Sequence, residues 1–127
     1  NGIPIVGRVA AGAPITAAEN LDGYLTIDGL FSSPEKLYAL RVNGDSMIDA
    51  GIWDGDYAIV KAQEDVAQGE IGVAIVNEEA TIKRIKRHGN IIELLPENEN
   101  YSPIIVNLEY DSFRIGGKVV GIHRVIS

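Results

Sequence analysis

The chain has 127 residues, 46% of them hydrophobic, with 11 Lys and Arg against 18 Asp and Glu and no cysteine. That length predicts one domain with a real core rather than a disordered segment, and the missing thiol excludes disulfides, thiolate catalysis and Cys-ligated zinc. A net charge of -7 makes the domain, taken alone, a poor match for a polyanion such as DNA.

No apolar run approaches the length of a membrane span, and no basic-then-apolar signal segment opens the chain. The expectation is a soluble, cytoplasmic protein. The chain opens at Asn1-Gly2, so it reads as a portion of something longer.

Ile3 to Val9 is apolar with one internal proline, which suits an edge strand or an extended arm. Ala10-Ala11-Gly12-Ala13-Pro14 is then a loop of small residues, the composition at which proteolysis concentrates. An ordinary connection is the plainer reading of such a loop. Asp22-Gly23 and Asp28-Gly29 are turn signals around a short strand near Tyr24-Leu25-Thr26-Ile27, and Ser32-Ser33-Pro34-Glu35 starts at most one helical turn. Leu37 to Val42 reads as a buried strand, broken by Asn43-Gly44. Met47 to Ala50 forms one short helical turn closed by Gly51, and Asp54-Gly55-Asp56 turns into a strand at Tyr57 to Lys61. Ile71 to Val76 and Ala80 to Lys86 form a hairpin around Asn77-Glu78-Glu79, and a second hairpin runs through His88-Gly89-Asn90 into Ile91 to Leu95. Ile104 to Leu108, Phe113 to Ile115 and Lys118 to Ile126 close the set. Short strands at regular spacing predict a mostly-β domain of coiled antiparallel sheets with little helix.

The aspartates Asp45, Asp49, Asp54 and Asp56 lie close in sequence, but their spacing does not match a calcium loop, and Asp beside Gly is commonly a turn former. His88 and His123 have no supporting ligand pattern. No metal and no cofactor is expected. Ser46 stands just beyond a strand end, where a serine becomes a nucleophile if a base stands beside it. Neither histidine has a triad context, so the base candidate is Lys83. A lysine takes a proton only when neutral, and burial favours the neutral form. Strand parity puts Lys83 on the side of Thr81 and Ile85, leaving Arg84 and Lys86 solvated. On spacing alone the plainer reading is a turn serine and one of several exposed lysines.

Five stretches change that reading. Val6-Gly7-Arg8-Val9-Ala10-Ala11-Gly12, Leu40-Arg41-Val42-Asn43-Gly44-Asp45-Ser46-Met47, Gly51-Ile52-Trp53-Asp54-Gly55-Asp56, Thr81-Ile82-Lys83-Arg84-Ile85-Lys86 and Glu93-Leu94-Leu95-Pro96-Glu97-Asn98 resemble, in family order, the C-terminal domain of the LexA-type repressors of the bacterial DNA-damage (SOS) response. The fold implied is that of the LexA C-terminal domain and the signal peptidases. One Ser-Lys peptidase and dimerisation domain would fill the chain, with residues 1–15 as an arm carrying the cleavage loop. The resemblance implies that Ser46 is the nucleophile, Lys83 the general base and Ala11-Gly12 the bond cut, in the chain's own loop. Backbone N–H groups of Asp45 and Ser46 would hold the oxyanion. Asp45 stands where LexA-like proteins often carry Met.

The resemblance also implies a homodimer, joined through an apolar edge strand around Gly121 to Ile126, and stimulation by the RecA filament on single-stranded DNA. Operator DNA would be bound only through an N-terminal helix-turn-helix domain that this chain lacks. A UmuD-like accessory protein of translesion polymerases shares the fold and chemistry, and a non-enzymatic dimerisation module shares the fold alone. A signal-peptidase-like enzyme acting in trans fits less well, for want of a membrane anchor.

Overall fold

The computed structural model describes residues 2–9, 14–26 and 36–126. These carry nine strands: β1 (Ile3–Val6), β2 (Leu21–Leu25), β3 (Leu37–Arg41), β4 (Tyr57–Lys61), β5 (Ile71–Val76), β6 (Glu79–His88), β7 (Ile91–Leu95), β8 (Ile104–Asn107) and β9 (Phe113–His123). They join in one sheet of order β2-β1-β3-β4-β9-β5-β6-β7-β8. Neighbours run antiparallel except β1 and β3, which are parallel, so the sheet is mixed. Helix among the described residues is confined to short 3-10 stretches, among them Ala18–Asn20 and Ile48–Ala50. The mostly-β expectation holds.

Local sequence accounts for most of the strands. β7 alternates, turning Ile92 and Leu94 inward, whereas the apolar run of β5 is buried from Gly72 to Ile75. The β5–β6 hairpin turns through Asn77 and Glu78, both at positive φ, which suits the tight turn between strands that pair at Val76 and Glu79. The Ser32 to Glu35 turn lies outside the described residues.

Three expectations need correction. β1 is not an edge strand, because it lies between β2 and β3. Its proline stands beside a shift in the β1–β2 register and outside the β1–β3 pairing, which takes in Ile5 and Val6. The second strand starts at Leu21, ahead of the Tyr24 expected from turn signals. The last two segments are one strand. β9 pairs with β5 along its first half and with β4 along its second. It passes between them at Gly117, where φ is 148° and an added Cβ would lie 2.3 Å from the Lys61 carbonyl oxygen.

The second half of β9 is paired along one side by β4, while β5 pairs with β9 only as far as Lys118. Gly121, Ile122 and His123 pair with Ile59, Ala58 and Tyr57. What stays exposed there is an apolar surface of Val120, Ile122, Val125 and Ile126. The larger core cluster, with Val6, Tyr38, Met47, Ile52, Val73 and Ile82, lies beneath the segment that carries Ser46. A second cluster of Ile85, Ile92, Leu94 and Val106 supports β6 to β8.

Candidate active site

The segment from Val42 to Asp56 is closed on itself by its own polar groups. Val42 N–H donates to the Asp56 carbonyl at 2.8 Å, and Gly55 N–H returns to the Val42 carbonyl at 2.9 Å. The Asp54 carboxylate accepts from Gly44 N–H at 2.6 Å and the Asp56 carboxylate from Trp53 N–H at 2.7 Å. The aspartates are therefore turn formers here, as Asp beside Gly predicts. Buried Met47 and Ile52 pin the segment to the core, and Gly51 ends its 3-10 turn in the left-handed conformation. Ser46, between exposed Asp45 and buried Met47, is left half-buried.

Asp56 ties this segment to the end of β9. It is 1% exposed, and its two carboxylate oxygens accept from Nε and Nη2 of Arg124, each at 2.7 Å. The guanidinium also donates to the Gly51 carbonyl at 3.1 Å and lies 3.9 Å from the Trp53 ring centre. The arginine holds the Asp56 carboxyl below its ordinary range.

Lys83 reaches the same place from β6. It is only 7% exposed, and its Nζ donates to Thr81 Oγ1 at 2.7 Å. Parity had put these two on one side of the strand, and they are. Burial lowers the Lys83 pKa, because a low-dielectric site disfavours the ammonium. Ser46, Met47, Thr81, Ile82 and Lys83 line one small pocket of about 70 Å³. Neither histidine lines it. His88 instead pairs with Glu93 at 2.9 Å.

A groove of about 560 Å³ adjoins the pocket and shares Leu40, Arg41, Asn43 and Ala80 with it. Gly7, Arg8 and Val9 form part of the groove wall. Ala11 and Gly12, the expected cleavage site, lie outside the described residues. Their described flanks do not: one flank borders the groove that opens beside Ser46 and Lys83.

Four residues around Ser46 were not singled out for the site from the sequence. Glu97 N–H donates to the Ser46 carbonyl, and Asp49 N–H to the Glu97 carbonyl, each at 2.8 Å. Asn98 Nδ2 donates to the Asp45 carbonyl at 2.9 Å, and Tyr101 Oη to the Asp45 carboxylate at 2.5 Å. Arg84 pairs with the Glu97 side chain and also donates to the Gly69 carbonyl at 2.8 Å. It is thus half-buried and engaged, not solvated as parity alone suggested. The Asp45 carboxylate faces Tyr101 and raises the pKa of that phenol. No group of three His, Cys, Asp or Glu among the described residues is placed to hold a metal, and no helix among them is long and apolar enough to cross a membrane.

A mostly-strand domain with a serine in a small pocket that opens beside a larger groove is serine-peptidase-like in class. The chain belongs to the Peptidase S24-like family, whose model matches residues 4–120, and with that family come a self-cleaving, peptidase-like domain and serine-peptidase-like activity.

Proposed function

We propose that this chain is the C-terminal domain of a LexA-type repressor of the DNA-damage response, and that it cuts its own Ala11-Gly12 bond. The observation that carries the reading is the convergence of Ser46 and desolvated Lys83 on one pocket, with the flank of the cleavage loop along the adjoining groove.

Neutral Lys83 takes the Ser46 hydroxyl proton as Oγ attacks the Ala11 carbonyl carbon. The N–H groups of Asp45 and Ser46 receive the developing oxyanion. Lys83 then gives its proton to the leaving Gly12 nitrogen, and the Ala11–Gly12 bond breaks. Water, deprotonated by Lys83, attacks the Ala11 acyl ester and frees Ser46 with a new Ala11 carboxylate. Tethering supplies the bond at high effective concentration. The protein acts as a homodimer, through the apolar surface of Val120, Ile122, Val125 and Ile126. The cleavable loop pose is a minor state, and the RecA filament raises its population by binding that pose preferentially.

The test is cleavage of the chain with and without a RecA filament on single-stranded DNA, followed on denaturing gels. Faster cutting with the filament supports the repressor reading. Spontaneous cutting that the filament leaves unchanged removes that reading and leaves a self-cleaving peptidase domain.

A further inference from the structure

We propose that the segment upstream of the cut stays bound to this domain after the Ala11-Gly12 bond is broken, held as strand β1 in the slot between β2 and β3. The inference rests on the proposed cut site, because it needs the break to fall between β1 and β2.

The sheet order is the reason. β1 precedes the bond, whereas both of its neighbours follow it. On one side Ile3, Pro4 and Val6 pair antiparallel with Leu25, Tyr24 and Leu21. On the other, Ile5 and Val6 pair parallel with Ala39 and Leu40. Val6 is 1% exposed and Ile3 5%. Val6 packs in the core cluster with Tyr38 and Val60, and Ile3 packs with Leu37, Ala39 and Ile59. Cutting the loop touches none of these contacts.

Asn20 secures both flanks of the loop. Its carbonyl accepts from Gly7 N–H at 2.7 Å, before the bond. Its buried side-chain amide donates to the Pro14 carbonyl at 3.2 Å and the Ile15 carbonyl at 3.3 Å, after the bond. Release of β1 would also strip β2 of its sheet partner, since β2 joins the described sheet only through β1. A strand with both ladder edges satisfied and its apolar side chains in the core has no cheap route to water. Scission and separation are therefore two events. Whatever lies upstream remains docked until β1 is drawn out, and the vacated β3 edge then offers a ladder to an extended apolar segment.

The experiment is kept independent of self-cleavage. A Ser46→Ala chain receives a site-specific protease sequence between Ala11 and Gly12 and is cut by that protease. Native mass spectrometry and gel filtration at micromolar concentration are expected to show both pieces as one complex, and denaturing conditions two masses. Free arm beside a folded remainder overturns the proposal. In the cut complex, a labelled peptide of residues 1–11 is expected to exchange in slowly, and the same peptide with Val6→Asp to compete at least about tenfold more weakly, since it brings a carboxylate to a buried apolar position. Equal competition by the two peptides also overturns the proposal. Failure of the unmodified chain to cut itself counts against the proposed function and leaves these outcomes unaffected.

Discussion

Lys83 and Thr81 stand two residues apart on β6, and the lysine Nζ donates to the threonine hydroxyl at 2.7 Å from a side chain only 7% exposed. That contact turns the amine into the pocket it shares with Ser46. A hydroxyl partner, unlike a carboxylate, gives the ammonium no full charge in return, so burial dominates and the lysine pKa falls.

The pH dependence of self-cleavage follows. In the proposed mechanism only neutral Lys83 accepts the Ser46 proton, so the rate is expected to rise with pH through the lowered lysine pKa and then level off. The midpoint is expected below the ordinary lysine value of 10.5. Cleavage followed over a pH series checks this, and a rate flat from neutral to alkaline pH contradicts it. Thr81→Val, which removes the hydroxyl partner, is expected to slow cutting at every pH.

The same lysine costs stability. Because its pKa is lowered on folding, the unfolded chain binds more protons than the folded one between the lowered folded value and the unfolded value of 10.5, and stability rises with pH across that window. Lys83→Met removes the cost and keeps the packing. It is expected to abolish cutting while raising the melting temperature at neutral pH by roughly a few degrees. A lower melting temperature would show that the lysine is a net stabiliser.

Asp56 works in the opposite sense. Its pKa is held below 3.8 chiefly by the hydrogen bonds from Arg124. Its contribution is therefore present above the unfolded value and lost as pH falls through the lowered one. Asp56→Ala leaves Arg124 and the Trp53 N–H without their acceptor. The expected loss is roughly 2–4 kcal/mol, discounted from a fully buried pair because Arg124 is about a third exposed. Denaturant unfolding at neutral pH and at pH 3 checks both points: the difference between variant and parent should shrink in acid.

Most of the strand framework was legible in the sequence, because alternation in β7 and apolar runs in β3 and β5 report burial directly. The Lys83–Thr81 side of β6 was legible for the same reason, since a period of two leaves no choice of face. What could not be read depends on partners far apart in sequence. Pro4 signalled an edge, yet β1 lies inside the sheet with Pro4 beside a register shift. Gly116 and Gly117 looked like a break between strands but are the point where one strand changes neighbours. The supports of Ser46, namely Glu97, Asn98, Tyr101 and the Asp56–Arg124 pair, carry no short-range signal. Pro96 to Asn98 belongs to a stretch that carries the family resemblance, but its composition gives no sign that it holds Ser46.

Glu97 offers a test of that support. Its backbone holds the Ser46 carbonyl and its side chain holds Arg84, the neighbour of Lys83. Glu97→Gln keeps the backbone bonds but loosens the link between its loop and β6. Cutting is expected to slow about three- to tenfold, the scale of one ordinary hydrogen bond, with the pH midpoint unchanged. An unchanged rate would show that the loop is held without that ion pair.

The central claim is that Ser46, with Lys83 as base, cuts the Ala11-Gly12 bond. Intact-mass analysis under denaturing conditions tests it most directly, on the chain incubated at alkaline pH beside Ser46→Ala and Lys83→Ala. The expected result is a break after Ala11 in the parent and intact mass in both variants. A break at the same bond in either variant, with its fold preserved, would contradict the claim.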